Sequence, residues 1–169
     1  NELLEKFYYN KEKYAFPLQI FFLNKRFEMY KDSMSHPLSV MDRSIVEDRI
    51  FAKMLKDQQE LTQTEYEIYS DLFTNMMDHV VPPSLMVYLR IKTENVIERI
   101  KKRGRKYELE QSINYWYDLN SNYEVFFNEY SWSKLLTIDV DNIDFVNNEE
   151  DKNYVINLIE ENLNVPQPV

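Results

Sequence analysis

The chain predicts an α/β fold on three observations: helical apolar periods alternate with short apolar runs, those runs have the length of strands, and no internal repeat or long linker interrupts them. Residues 3 to 34 read as helix, with Leu3, Leu4, Phe7 and Tyr8, then Phe16, Ile20, Leu23, Phe27 and Tyr30 at helical spacing. Pro17 is expected to kink or divide it. Leu38 to Asp42, after Pro37, reads as a short buried strand, and Ser44 can open a helix through Phe51 and Leu55. Tyr66, Tyr69, Leu72, Phe73, Met76 and Met77 mark another helix, which Pro82-Pro83 closes off. Leu85 to Leu89 is the clearest strand, and Thr93 is a plausible N-cap for a helix carrying Val96, Ile97 and Ile100. Residues 111 to 130 form an aromatic helix and Leu135 to Asp139 a third strand. Residues 149 to 163 form a closing helix with Val155, Ile156, Ile159 and Leu163 inward, and Pro166 and Pro168 sit in a tail.

Composition narrows the function. A chain of 169 residues, 44% hydrophobic and 15% aromatic, can build one substantial core, so a single domain over 1–169 is expected. A formal net charge of -9 argues against a nucleic-acid or membrane surface, and no apolar run approaches the ~20 residues of a membrane span. The absence of cysteine excludes disulfides and thiolate chemistry and fits a reducing, cytoplasmic setting. His36 and His79 lack metal-ligand spacing and read as surface or loop residues. The chain starts at Asn1 without Met and has neither signal nor transit composition, so it is expected to begin partway into a gene product.

Three patterns point to chemistry. Between Arg99 and Glu108 lie six cations, Arg99, Lys101, Lys102, Arg103, Arg105 and Lys106, around Gly104, the only glycine in the chain. In an acidic protein such a cluster suits polyanionic phosphate, although cations at the negative end of a helix dipole would look the same. Asp42-Arg43-Ser44 lies where the expected strand gives way to a helix, the edge at which open α/β sheets bind ligands, with Asp48 and Arg49 one turn on. An N-terminal capping and salt-bridge cluster is the alternative there. Gln19 and Arg26 stand two turns apart among Phe16, Phe22 and Leu23, a donor and acceptor set with aromatic neighbours that can hydrogen-bond the edge of a base and stack on its face.

Together these residues resemble the deoxynucleoside kinase family, most closely its bacterial deoxyadenosine/deoxyguanosine kinases. The resemblance covers nearly the whole chain. Its motifs are Phe7-Tyr8, Tyr14-Ala15-Phe16-Pro17-Leu18-Gln19, Leu23-Asn24-Lys25-Arg26, and Met41-Asp42-Arg43-Ser44-Ile45-Val46-Glu47-Asp48. They continue through Arg99, Arg103-Gly104-Arg105, Glu108, Thr137-Ile138-Asp139 and Asp144-Phe145. The resemblance implies a three-layer P-loop kinase-like parallel sheet flanked by helices, with ATP and Mg2+ as cofactors and a deoxynucleoside as substrate. It implies that Tyr8 and Glu108 bind the sugar 3′-hydroxyl and that Gln19, Arg26 and Asp48 read the base. It further implies that Arg43 holds the 5′-oxygen and transferred phosphate, Asp42 positions magnesium, and Arg99, Arg103 and Arg105 close as a lid over the ATP phosphates. Asp144 and Phe145 would flank the adenine of ATP. By the same resemblance the Arg26 and Asp48 pair would disfavour thymidine and favour purine deoxynucleosides or deoxycytidine, and a homodimer or paired kinase subunit is implied.

One departure is severe. The phosphate loop G-x-x-x-x-G-K-[ST] cannot be present with one glycine, so the sequence is expected to be an N-terminally incomplete kinase that lacks a βαβ portion and its catalytic base. Its three strands alone should leave a gap in the sheet, and a genuinely shortened protein should fold poorly and lack kinase activity. The rival readings are a thymidylate-kinase-like monophosphate kinase and a non-catalytic remnant acting as a binding or partner subunit; nucleic-acid binding by the basic stretch is disfavoured because it lacks a continuous basic face.

Overall fold

The computed structural model describes residues 2–163. Its first two helices, α1 (Glu2–Tyr9) and α2 (Lys11–Ser33), occupy the region expected to be helical, but the chain divides at Asn10 and not at Pro17. Asn10 caps α2 by accepting from the Lys13 N–H at 3.1 Å. Pro17 sits exposed inside α2, with Ala15, Leu18, Gln19 and Leu23 buried on either side. That burial carries the helix past the hydrogen bond the proline cannot make.

The strand expected at Leu38 to Asp42 does not form. Leu38 is 80% and Val40 95% exposed, and no ladder bonds join the segment to a neighbour. A strand needs a partner for its backbone groups. Here β1 (Met86–Arg90) and β2 (Leu135–Asp139) are the strands among the described residues, and they pair with each other, parallel, from Met86 opposite Leu135 to Arg90 opposite Asp139. Among the described residues the sheet therefore has two strands rather than three, an open parallel pair flanked by helices, as expected of a P-loop kinase-like fold that lacks part of its sheet.

Ser44 opens the next helix as expected. Its hydroxyl accepts from the Val46 N–H at 3.3 Å ahead of a 3₁₀ turn (Ile45–Glu47) that runs into α3 (Asp48–Asp57). A capping box between Thr62 and Glu65 starts α4 (Gln63–Met77), whose Met76 and Met77 pack against the core. From β1 the chain crosses to β2 through α5 (Thr93–Arg103), α6 (Lys106–Leu109) and α7 (Ile113–Asn128). Thr93 is the first residue of α5 rather than its cap. Asp141, beyond β2, supplies the capping acceptor, taking the Lys92 N–H at 2.8 Å and Asn95 Nδ2 at 2.7 Å. The Lys92 and Asn95 bonds hold the Asp141 carboxyl below the usual carboxylate range.

The core gathers where α2, α3, α4 and α7 meet β1. Tyr88 of β1 stacks on Phe127 of α7 with centroids 4.1 Å apart, and Leu18, Leu23, Leu55 and Tyr69 fill the space beside them. Each such side chain contributes roughly 1.5–3 kcal/mol by leaving water. The closing helix α8 (Glu149–Leu163) has the expected bounds but not the expected inward face: Val155 and Ile159 are half-buried, and Ile156 and Leu163 are exposed. It packs on β2, and a two-stranded sheet offers one helix too little surface to cover four side chains. His36 and His79 are exposed in turns, and no described helix is long and apolar enough to cross a membrane.

Candidate active site

The helix pair α2 and α3 brings Gln19, Arg26 and Asp48 into the interior. Gln19 and Asp48 are each 4% exposed, and Arg26 lies over the Phe22 ring at 5.8 Å. Arg26 Nε stands 3.9 Å from Asp48 Oδ1, close enough for the charges to act on each other and too far for a hydrogen bond. Arg26 Nε and Asp48 Oδ2 are both buried without a hydrogen-bond partner. Burial pushes the Asp48 carboxyl up to about 7 against the pull of Arg26, with Glu47 adding to the rise. Orphaned buried donors and acceptors are costly, and a ligand edge carrying the complementary pair would satisfy both.

Asp42 and Arg43 lie in the loop before the 3₁₀ turn. Arg43 has φ 73°, the left-handed region that non-glycine residues seldom occupy. Its Nη1 donates to Glu47 Oε1 at 3.0 Å and to the Tyr123 hydroxyl at 3.1 Å, and its guanidinium lies 5.6 Å from the Phe51 ring centroid. Burial opposes the Arg43 charge, but Tyr123, Glu47 and Asp48 outweigh it and hold the guanidinium above its ordinary pKa. Burial also raises the Glu47 carboxyl despite Arg43 and Arg26. Asp42 is exposed. No trio of acidic or histidine side chains that could cage a metal occurs among the described residues. Mg2+ is held by one or two carboxylates together with water and substrate phosphates, so a lone exposed carboxylate fits that ion.

The basic stretch spans the end of α5, Gly104 and α6. Gly104 ends α5 at φ 72°, donating its N–H to the Ile100 carbonyl at 3.0 Å. Cations do occupy the last turn of α5, yet Arg103 and Arg105 fold back on the buried Glu108. Arg103 Nη2 and Nε reach Glu108 Oε2 at 2.6 and 3.0 Å, and Arg105 Nη1 reaches Oε1 at 3.4 Å. Tyr8 stacks on Tyr107 with centroids 5.3 Å apart and interacts electrostatically with Glu108 and Arg103, which places the two expected sugar-binding residues beside the lid arginines. Burial pushes the Tyr8 phenol up to about 12. Arg99 points elsewhere: it donates to the carbonyls of Val140 at 2.9 Å and Ile143 at 3.4 Å, tying α5 to the loop that carries Asp144 and Phe145. Within that loop Asp144 accepts from the Val146 and Asn147 N–H groups, at 3.3 and 3.1 Å, and Phe145 is half-buried.

Three groups thus emerge: Gln19, Arg26 and Asp48; Arg43 with Glu47; and Tyr8, Arg103, Arg105 and Glu108. A hollow of about 90 Å³ lined by Arg49, Tyr66, Tyr69, Ser70, Phe73 and Thr74 contains none of these residues. Glu47 and Tyr123 were not among the residues expected from sequence. The i, i+4 step from Arg43 marks Glu47, whereas nothing in the sequence links Tyr123 to Arg43 across 80 positions.

The chain is similar to proteins of known activity. The chain is 38% identical over 168 residues to a deoxyguanosine kinase of Lactobacillus johnsonii, covering 94% of this chain and 75% of that protein. It is 34% identical to a deoxyadenosine/deoxycytidine kinase of Bacillus subtilis, covering 95% and 75%. The structure of a deoxyadenosine kinase from M. mycoides with the products dCMP and a flexible dCDP bound superposes with a TM-score of 0.83 at 31% identity, covering 95% of this chain and 81% of that one. Residues 1–164 match the family model described as deoxynucleoside kinase, so the chain belongs to the deoxynucleoside kinase family, and its chemistry is phosphoryl transfer to a deoxynucleoside.

Proposed function

We propose that the protein transfers the γ-phosphoryl group of ATP to the 5′-hydroxyl of a purine deoxynucleoside, with deoxycytidine as a second substrate, as a step of nucleotide salvage in the cytoplasm. The observation that carries this reading is the buried, unbonded pair of Arg26 Nε and Asp48 Oδ2. Adenine and cytosine each present an amino donor beside a ring-nitrogen acceptor, the complement of a carboxylate beside a guanidinium, and guanine presents donors and an acceptor on one edge. Thymine has no amino group to give Asp48. The relatives named above for guanine, adenine and cytosine nucleosides agree with that choice.

In this reading Gln19, Arg26 and Asp48 hold the base, and Tyr8 and Glu108 hold the 3′-hydroxyl. Arg43 lies against the 5′-oxygen and the group in transfer. Arg103 and Arg105 leave Glu108 to neutralise donor phosphates, and Gly104 between them supplies the backbone freedom for that swing. Arg99 fixes the loop in which Asp144 and Phe145 would flank the adenine of ATP. Asp42 would hold Mg2+, which when bound supplies charge neutralisation across the phosphate oxygens. Phosphoryl transfer asks mainly for positioning and charge, which these side chains supply. Exposed Ile113 and Val125 on α7 leave apolar surface for a second copy, and a homodimer is part of the proposal.

The test is phosphorylation of deoxyadenosine, deoxyguanosine, deoxycytidine and thymidine, and of their monophosphates, by the protein expressed from its full gene. Purine deoxynucleosides should lead, deoxycytidine should follow and thymidine should trail. Phosphorylation of monophosphates in preference to nucleosides would overturn the reading, and light scattering of the same sample reports the dimer.

A further inference from the structure

Arg43 combines features that usually exclude one another: a long side chain, 44% exposed, that is nevertheless held by several partners, on a backbone at φ 73°. A left-handed non-glycine residue costs roughly 1–2 kcal/mol and persists only where its surroundings over-determine it. On one side Ser44 starts the 3₁₀ turn and fixes the chain direction. On the other, Glu47 and Tyr123 hold the guanidinium. Arg43 Nη1 donates to both, and the Tyr123 hydroxyl donates in turn to Glu47 Oε1 at 3.5 Å, closing a triangle. The Tyr123 ring is set independently of that hydroxyl, in contact with Phe51, Tyr88 and Phe127.

We propose that Tyr123, with Glu47, is a positioning residue for phosphoryl transfer: its hydroxyl holds the Arg43 guanidinium in the orientation the reaction uses. This rests on the assignment of Arg43 to the transferred group. An arginine free to rotate would lose side-chain entropy at each turnover, and the triangle removes that loss beforehand. Tyr123 stands on α7, directly after the lid in sequence, so the element that follows the lid arginines also aims the fixed one. The substrate-reading residues Gln19, Arg26, Asp48, Tyr8 and Glu108 are not hydrogen-bonded to Tyr123, so its hydroxyl should act on turnover rather than on nucleoside binding.

The experiment is a double-mutant cycle in the full-length protein, reading kcat, deoxynucleoside KM and Tm for Tyr123→Phe, Arg43→Ala and the double variant. Tyr123→Phe keeps the ring contacts and should lower kcat between about ten- and a hundredfold, the scale set by misplacing a catalytic group by about an ångström. KM should stay at its wild-type value, and Tm should fall by only a few degrees, the scale of one lost hydrogen bond. In the Arg43→Ala background the same substitution should change kcat by less than about twofold, since the group it aims is gone. Equal losses in both backgrounds, or wild-type kcat in Tyr123→Phe, would overturn the role of Tyr123. Wild-type kcat in Arg43→Ala would instead overturn the assignment of Arg43 itself, so the two failures are distinguishable. Glu47→Gln, which keeps an acceptor oxygen, should fall between wild type and Tyr123→Phe; a Glu47→Gln variant at full activity would take Glu47 out of the triangle's function.

Discussion

At the α2–α3 contact Arg26 and Asp48 stand 3.9 Å apart with Arg26 Nε and Asp48 Oδ2 buried and unbonded, whereas in the lid Arg103 and Arg105 reach Glu108 at 2.6 and 3.4 Å and leave its carboxylate well bonded. The first cluster leaves buried polar atoms unsatisfied, at a cost in stability. The second is closed on itself. In the proposed function a base enters this preformed frame, so the frame must be rigid and its polar atoms must wait unpaired. In the same proposal donor phosphates meet arginines that already have a partner and must be exchanged from it. The carboxylate they leave is the one proposed to take the sugar hydroxyl, so sugar binding and lid release draw on the same two oxygens.

Removing a lid arginine should give the largest effect. Arg103→Ala should lower kcat at least about a hundredfold, because a guanidinium on a transferring phosphoryl group is among the strongest single contributions to this chemistry. Its Tm should fall far less than its turnover: the Arg103 side chain is 49% exposed, so water can reach the vacated side of the buried Glu108 carboxylate, and Arg105 still holds Oε1. Unchanged turnover would remove the lid from the reaction and leave the arginines as a helix-end clasp for Glu108.

Asp48 tests the other side of the contrast. Asp48→Ala should relax discrimination between purine deoxynucleosides and thymidine by about ten- to a hundredfold, the worth of a hydrogen bond to a charged group, and should slow the best substrate by less. An unchanged preference profile would refute the base-reading role. The pH dependence has an uncommon sign. Burial raises the Asp48 carboxyl from an ordinary 3.8 to about 7, so between those values the folded protein holds a proton that the unfolded chain has released. Stability from this group therefore falls as pH rises through that window, opposite to a salt-bridged aspartate, and the whole cost, on the order of 4 kcal/mol, is present above about 7. Asp48→Asn, neutral at every pH, should have a higher Tm than wild type at pH 8 and lose that advantage at pH 4. Substrate binding runs the other way: KM for deoxyadenosine should rise as pH drops below about 7, where the carboxylate that accepts the amino group becomes protonated.

Glu108 is where sugar binding and lid release compete in the proposal. Glu108→Gln should reduce the preference for a deoxynucleoside over its 3′-deoxy analogue by about tenfold, because a neutral amide accepts the hydroxyl less strongly than a carboxylate. Retention of full 3′-hydroxyl selectivity would leave Glu108 with the lid alone.

How far the sequence anticipates this arrangement depends on the range of the forces involved. Periodicity finds β2 and α8 with their observed bounds because each follows from local pattern. It misplaces a strand at Leu38 to Asp42 because pairing depends on a neighbour, and it expects Pro17 to kink or divide the helix, where α2 runs on undivided because burial on both sides of a proline is a tertiary fact. The proximity of Arg26 to Asp48 came from the family pattern, while their lack of hydrogen bonds emerges only from the packing of α2 on α3. Glu47 and Tyr123 at Arg43 likewise required the folded chain, since α7 must cross beside α3 before a tyrosine hydroxyl can meet an arginine 80 residues earlier.

The smallest predicted effect isolates the backbone of the lid. Gly104 has φ 72°, and beyond its two chain neighbours nothing lies within 4 Å of where a Cβ would stand, so substitution there is opposed by conformation and not by crowding. Gly104→Ala should cost about 1 kcal/mol, and Gly104→Asn less, because asparagine tolerates the left-handed region. Urea midpoints should therefore order Gly above Asn above Ala. If the left-handed turn is what brings Arg103 and Arg105 onto one carboxylate and later onto one phosphate group, kcat should follow the same order, with Gly104→Ala remaining well above Arg103→Ala because both guanidiniums survive. Stability that falls without any change in kcat would show that the turn serves only to end α5, and the exchange of arginines between Glu108 and phosphate would then depend on side-chain motion alone.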